Sequence, residues 1–275
     1  MEHGRRIPRV LSIAGSDSGG GAGVQADLKA FAACGVHGMT AITAITAQNT
    51  VGVSAVQSIP PEMIVAQVRA VSHDIGVDAV KIGMLGTVAT VHAVVRSLDE
   101  IPPGTPVVLD PVMVAESGAE LLDPAARAAL VELLLPLSTV VTPNLPEARA
   151  LVAVGDPRVA SEADMATLAR AIHALGPAVV VITGGHRAQA TDLFCDGETV
   201  TELAGERYPD GAAHGSGCTH ASVLAARLAW GDEPLQAART AKALAARAVR
   251  DGLSEIGAGP GPVDVLGVRS QGRTS

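Results

Sequence analysis

The run His214-Gly215-Ser216-Gly217-Cys218-Thr219-His220 gathers a thiol, two imidazoles and a glycine-flanked serine into seven residues. Glycines on both sides of Ser216 let successive backbone N–H groups point into one concavity. The alanine-rich stretch that follows places a helix N-terminus at the same point. Such a nest suits a phosphoryl group that carries charge in a transition state. A thiol at that helix start is expected to have a lowered pKa, which makes Cys218 a candidate base. Cysteine is equally a small buried hydrophobe, and Cys34 and Cys195 take that reading. Two rival chemistries draw on the same run. A Cys–His hydrolase would pair Cys218 with His214, His220 or His186, although no protease-type context surrounds the cysteine. Zinc on His214, Cys218 and His220 lacks a fourth ligand at a recognisable spacing.

Three other segments are rich in polar or backbone-exposing residues. Gly15-Ser16-Asp17-Ser18-Gly19-Gly20-Gly21-Ala22-Gly23 leads into a helix, where glycines permit close backbone approach and the helix end favours an anion. Gly21-x-Gly23-x-x-Ala26 mimics a dinucleotide fingerprint, but no acidic residue follows at the required distance, and no P-loop occurs. In Thr142-Pro143-Asn144-Leu145-Pro146-Glu147, Asn144 and Glu147 are three residues apart. They read either as oxygen groups for Mg²⁺ or its water shell beside a nucleotide, or as a helix capping box. Asp110, followed by Pro111, supplies a further carboxylate. Thr183-Gly184-Gly185-His186 is again small and backbone-exposing.

Each of these segments follows a short apolar run, which locates them on an α/β framework. Strands are expected over 9–14, 39–44, 79–82, 107–109, 139–141 and 178–182, and a strand pair within 192–208 around Asp196-Gly197. Helices are expected over 24–34, 62–74, 88–99, 124–134, 162–175, 218–230 and 235–250, with Ser161 and Asp164 resembling a helix start. Gly35 and Gly252 stand where C-terminal caps belong. Runs such as Ala178-Val179-Val180-Val181-Ile182 fit strands buried on both faces of a mostly parallel sheet. In such sheets ligands bind beyond the carboxyl ends of the strands, where these loops lie. One domain is expected over 9–266, with an N-terminal tail over 1–8 and a loose tail over 267–275.

The chain's 275 residues suffice for one large core. Aromatics make up only 1%, and the net charge is −8, which together argue against base stacking and phosphate-backbone binding. No apolar run reaches a membrane span or a signal-peptide core. The three widely spaced cysteines suggest no disulfide framework. A cytoplasmic protein acting on small molecules is expected, with no nucleic-acid or membrane partner.

Taken in order, the loops resemble the ribokinase-like superfamily, and within it the hydroxymethylpyrimidine/phosphomethylpyrimidine kinase family of thiamine biosynthesis. The matching blocks are Ile13-Ala14-Gly15-Ser16-Asp17, the segment 20–29, Thr46-Ala47-Gln48-Asn49-Thr50, Lys81-Ile82-Gly83-Met84-Leu85, the segment 142–148 and the segment 214–219. They span nearly the whole chain, about 10–262. The resemblance implies a ribokinase-like α/β fold, a mostly parallel central sheet with helices on both faces. It also implies phosphorylation of 4-amino-5-hydroxymethyl-2-methylpyrimidine and of its monophosphate, with ATP and Mg²⁺.

By the same resemblance, Gln48 pairs with the aminopyrimidine edge, since a carboxamide offers a donor beside an acceptor. Gly15, Asp27, Met84 and Val112 line the substrate pocket, and Cys218 takes the base position above an anion hole of Gly215, Ser216 and Gly217. Asn144 and Glu147, with Asp110 nearby, handle Mg²⁺–ATP, and Thr183 and Gly185 belong to the ATP side. A homodimer is also expected. Three departures stand out. Thr183 replaces a family lysine, so Arg187 or another arginine is expected at the ATP phosphates. Ala212-Ala213 stand where relatives often carry Asn-Thr, and Asp17-Ser18-Gly19-Gly20 replaces the commoner Asp-Pro-Ser-Gly. Pyridoxal kinase is the nearest enzymatic alternative. A non-catalytic pyrimidine-binding regulator is the alternative from another class.

Overall fold

Runs of β-branched residues with no polar face can form strands only where both faces are covered, and the chain builds such a sheet from its first strand onward. In a computed structural model, which describes residues 6–115, 118–184, 190–209 and 211–271, the order begins β1 (Arg9–Asp17), α1 (Gly23–Ala33), β2 (His37–Gln48), β3 (Val53–Ser58), α2 (Pro61–Asp74), β4 (Ala79–Ile82), α3 (Val88–Leu98) and β5 (Val107–Leu109). It continues with α4 (Pro124–Ala129), β6 (Val140–Val141), α5 (Leu145–Val152), α6 (Pro157–Glu162), α7 (Met165–His173), β7 (Val179–Ile182), β8 (Asp192–Cys195) and β9 (Val200–Leu203). Three helices follow, α8 (Ser216–Ala229), α9 (Pro234–Arg250) and α10 (Val268–Gln271). The strands join in one sheet, ordered β3-β2-β1-β4-β5-β6-β7-β8-β9.

The pairs from β2 through β7 are parallel, and β3, β8 and β9 add antiparallel edges. Alternation along β1 sends Leu11 and Ile13 to one face, with Ile64 of α2, Val91 of α3 and Leu168 of α7. Val10 points the other way, with Ala30 of α1, Leu224 of α8 and Ala238 of α9. Helices therefore cover both faces. Ile13 lies opposite Ile82, and Leu109 opposite Val141, so the carboxyl ends of the parallel strands finish together. Among the described residues, no helix is long and apolar enough to cross a membrane.

Several expectations need correction. The antiparallel edge β3 is largely exposed, so its sequence carries no strand-like alternation to read, and β2 runs on past residue 44 to pair with it. The helix expected over 162–175 is α7 and starts later, because Asp164 itself caps it, accepting from Thr167 N–H at 2.8 Å, and residue 162 ends the separate helix α6. The expected helix over 124–134 changes after α4 into a π-turn at Leu130–Leu134. Gly35 follows the Cys34 cap of α1 with φ +68°, and Gly252 follows the Asp251 cap of α9 at the same position but is not left-handed. Within the tail expected to be loose, Val268–Gln271 form α10, whose first N–H groups donate to Asp264, and residues 272–275 lie outside the described residues.

Candidate active site

A cavity of about 400 Å³ opens beyond the carboxyl ends of β1, β4, β5, β6 and β7, lined in turn by Gly15 and Asp17, Lys81 and Met84, Asp110 and Val112, Asn144, and Thr183. Gln48 at the end of β2, Glu147 in α5, and Gly215, Ser216, Gly217 and Cys218 at the head of α8 also line it.

The glycine-rich segment after β1 is organised by Asp17. Its buried carboxylate accepts from Gly19, Gly21 and Ala22 N–H at 2.8–3.0 Å and meets His214 Nε2 at 3.1 Å. Burial raises its pKa, but the His214 contact and the backbone donors outweigh burial and hold it below the usual range. The second loop packs directly on the first. Gly215 is left-handed, with φ +82°, and a Cβ there would overlap the Gly21 carbonyl oxygen. Only glycine brings the two loops this close. The first-turn N–H groups of α8 beyond Gly215 have no acceptor within the helix, so this wall carries positive potential.

Cys218 is half-buried at this helix head and lines the cavity. The expected lowering of its pKa is not what the structure gives. Burial pushes the thiol up to about 12; Lys81 opposes this, while Asp110 and Asp27 add to it. The helix end and one ammonium do not outweigh desolvation beside two carboxylates.

At the cavity floor, Lys81 is fully buried, its Nζ 3.0 Å from Asp27 Oδ1 and 3.5 Å from Asp110 Oδ2. The Ser12 and Ser222 hydroxyls donate to the two Asp27 oxygens at 2.6 and 2.7 Å. Asp27 was expected to line the substrate pocket. Instead it is wholly enclosed, both oxygens are engaged, and it lies outside the cavity wall. Burial works against the charge on Lys81, but Asp27, Cys218 and Asp110 outweigh it and raise its pKa.

For Asn144 and Glu147 the capping box is formed. Asn144 Oδ1 accepts from Glu147 N–H, and Glu147 Oε2 from Asn144 N–H, both at 2.9 Å. Both residues also face the cavity, so the two sequence readings are compatible. Burial, with the charge of Asp110 adding to it, raises Glu147 to about 8. Asp110 is itself raised, first by burial, and its Oδ2 has no hydrogen-bond donor. Two crowded carboxyls, one with an unsatisfied oxygen, form a pair that a divalent cation would relieve. Mg²⁺ commonly uses one or two carboxylates with phosphate oxygens, so the donor set fits.

The raised Glu147 has a consequence for stability. From its ordinary 4.5 up to about 8, the folded chain holds a proton that the unfolded chain releases, so stability falls as pH rises through that window. Glu147→Gln, which retains an acceptor for the cap, is expected to flatten that slope in urea melts between about pH 5 and 8. Equal slopes in both proteins would contradict the assignment.

Gln48 sits with its Oε1 3.1 Å from the Thr46 hydroxyl, and Ser18 ties down its backbone. A Cβ on Gly15 would touch Met84 Sδ at 3.0 Å, so Gly15 keeps that wall open. Thr183 bridges to Asn144, its N–H donating to the Pro143 carbonyl at 2.8 Å. Gly185 and Arg187 lie outside the described residues. The zinc reading fails: His214 is engaged by Asp17, and among the described residues no three histidine, cysteine or carboxylate side chains are grouped to hold a metal ion.

Sequence reasoning assigned no role to Lys81, to the Asp17–His214 pair, or to an Asp192–His220–Lys242 cluster on the same cavity. Lys81 and Asp17 lie inside matched blocks, and Lys242 is one of only three lysines. Those were the available signals.

Comparison with known proteins agrees with this geometry. The sequence pattern of the phosphomethylpyrimidine kinase family matches residues 17–264. A hydroxymethylpyrimidine/phosphomethylpyrimidine kinase of Rhizobium meliloti is 51% identical, over 92% of this chain and 95% of that protein. A thiamine biosynthesis bifunctional protein of Geobacter sulfurreducens is 43% identical, over 94% of this chain and 53% of its own length. Among solved structures, the pyridoxal kinase of Staphylococcus aureus in complex with ADP superposes with a TM-score of 0.85 at 37% identity, covering 95% of this chain and 94% of that one. With the pattern spanning nearly the whole sheet and both loops at the head of the cavity, the chain belongs to the phosphomethylpyrimidine kinase family.

Proposed function

We propose that this protein transfers the γ-phosphoryl group of ATP to the hydroxymethyl group of 4-amino-5-hydroxymethyl-2-methylpyrimidine, and a second one to the resulting monophosphate, in thiamine biosynthesis. The observation that carries the reading is the placement of Cys218 and the Gly215–Gly217 nest on one cavity with Gln48. The relatives' names and the family match support it.

The pyrimidine lies against Gly15, Gln48, Met84 and Val112, with the Gln48 amide reading the amino edge. Asn144, Thr183, Gly185 and Arg187 serve the nucleotide, and Asp110 and Glu147 would hold Mg²⁺. The metal supplies positive charge that offsets the phosphates. In the first transfer, the hydroxymethyl oxygen forms a bond to the γ-phosphorus as the bond to the bridging oxygen of ADP breaks. The hydroxyl proton passes to the Cys218 sulfur, and the nest stabilises charge on the transferred group. Burial favours the protonated thiol, so acting as base requires that Cys218, which lines the open cavity, first release its own proton to solvent. Counter-charge beside Asp110 removes one of the causes that hold its pKa up.

Gln48→Ala is expected to raise KM for the pyrimidine by the cost of a lost buried amide pairing, about 1–3 kcal/mol. KM for ATP should stay unchanged. Steady-state kinetics on the folded variant check this, and unchanged pyrimidine kinetics would remove Gln48 from the recognition site.

Phosphorylation of pyridoxal is a second reading, favoured by one observation, the close superposition on a pyridoxal kinase. Its substrate is also a hydroxymethyl heteroaromatic. Rates on both substrates separate the two.

A further inference from the structure

Where β7, β8, α8 and α9 meet, the cavity wall holds an unused imidazole. His220, one turn into α8, is 3% exposed, and neither ring nitrogen has a hydrogen-bond partner. Its Nε2 stands 3.6 Å from Asp192 Oδ2, beyond hydrogen-bond range. The other Asp192 oxygen is committed, accepting from Gly184 N–H at 2.9 Å and from Lys242 Nζ at 2.7 Å. Asp192 thus ties the end of β7 to α9 and fixes the Lys242 ammonium beside the imidazole. His220, Lys242, Asp192 and Thr183 all line the same cavity.

A buried ring with two unsatisfied nitrogens is costly, and such groups are rarely left so without a partner that arrives. The ring keeps its neutral form, because burial, reinforced by Lys242, lowers its pKa against the opposing pull of Asp192. A neutral imidazole carries one N–H donor, Lys242 has ammonium hydrogens beyond the one given to Asp192, and Thr183 adds a hydroxyl. Donors converging on one corner select an oxyanion. Residue 183 is the strand end at which a charged contact to ATP phosphates was expected, and its hydroxyl brings no charge.

We propose that His220 is a nucleotide-binding residue, its ring N–H donating to an ATP phosphate oxygen alongside Lys242, and that this pair supplies the contact which Thr183 cannot. The proposal rests on the kinase reading above and adds a residue to it.

The test uses the full chain and AMP-PCP as the nucleotide. His220→Leu should weaken AMP-PCP binding by about tenfold, as for a lost buried hydrogen bond to a charged group, while KM for the pyrimidine stays unchanged. Thr183→Lys added to His220→Leu should restore most of the lost affinity. In the unaltered protein, the His220 ring resonance should shift on addition of AMP-PCP and stay in place when the pyrimidine is added alone. That experiment decides the matter if His220→Leu does not fold. An unchanged AMP-PCP affinity in the folded variant, or a resonance that AMP-PCP does not move, makes His220 a packing residue and overturns the proposal. Either result leaves ATP turnover by the unaltered protein intact; absence of that turnover is what would overturn the kinase reading.

Discussion

Cys218→Ala is expected to lower kcat by roughly a hundredfold or more, the usual consequence of losing a general base. Phosphoryl transfer is mostly positioning and charge stabilisation, so the base must be close to the hydroxyl and able to take its proton. Cys218 stands at the head of α8, next to the Gly215–Gly217 nest, and lines the same cavity as Gln48. Alanine removes the proton acceptor and leaves the nest, so KM for either substrate should change little. Cys218→Asp should keep partial activity, since a carboxylate at the helix head can accept the same proton. The other two cysteines serve as controls. Cys195 is buried within β8, and the carbonyl of Cys34 accepts from Trp230 Nε1 at 3.0 Å. Neither lines the cavity, so their alanine variants should turn over at close to the parent rate. A Cys218→Ala protein that keeps the parent kcat at saturating ATP would reduce the cysteine to packing.

Lys81→Met is expected to have the largest effect on stability. Its ammonium lies between Asp27 and Asp110 with no exposed surface on the lysine or on Asp27. Methionine fills a similar volume but leaves Asp27 a buried carboxylate supported only by two serine hydroxyls. Removing one partner of a buried pair typically costs about 3–5 kcal/mol. For a chain of this size that is a fall in Tm of roughly 6 °C or more. Adding Asp27→Asn should recover a large part of the loss, because a neutral amide no longer needs the cation. Thermal or urea unfolding of the single and double variants measures both terms. A single variant as stable as the parent would show that the pair is not holding the floor of the cavity.

How far the sequence could be read follows from where the physical signals lay. Continuous apolar runs such as Val179–Ile182 mark strands buried on both faces, and the loops after them line the cavity. The edge β3 was illegible because its exposed residues need no alternation. The capping box at Asn144 and Glu147 is one of two readings that the local sequence offers, and the fold forms it while keeping both residues on the cavity. Asp27 was misplaced for a different reason. Its partners Ser12, Lys81 and Ser222 come from three distant parts of the chain, and nothing local announces that they converge on it. The Cys218 thiol failed in the same way. The helix start that should lower its pKa is adjacent in sequence, whereas Asp27 and Asp110, which raise it, are not. His220 was visible only as one more histidine in a busy motif until β8 and α9 brought Asp192 and Lys242 beside it.

The identity of the acceptor is measured most directly by ADP release at saturating ATP with three acceptors supplied separately. These are hydroxymethylpyrimidine, its monophosphate and pyridoxal. Turnover is expected with both pyrimidines, with a higher kcat/KM for hydroxymethylpyrimidine than for pyridoxal. Turnover with pyridoxal alone, or with none of the three, would contradict pyrimidine phosphorylation.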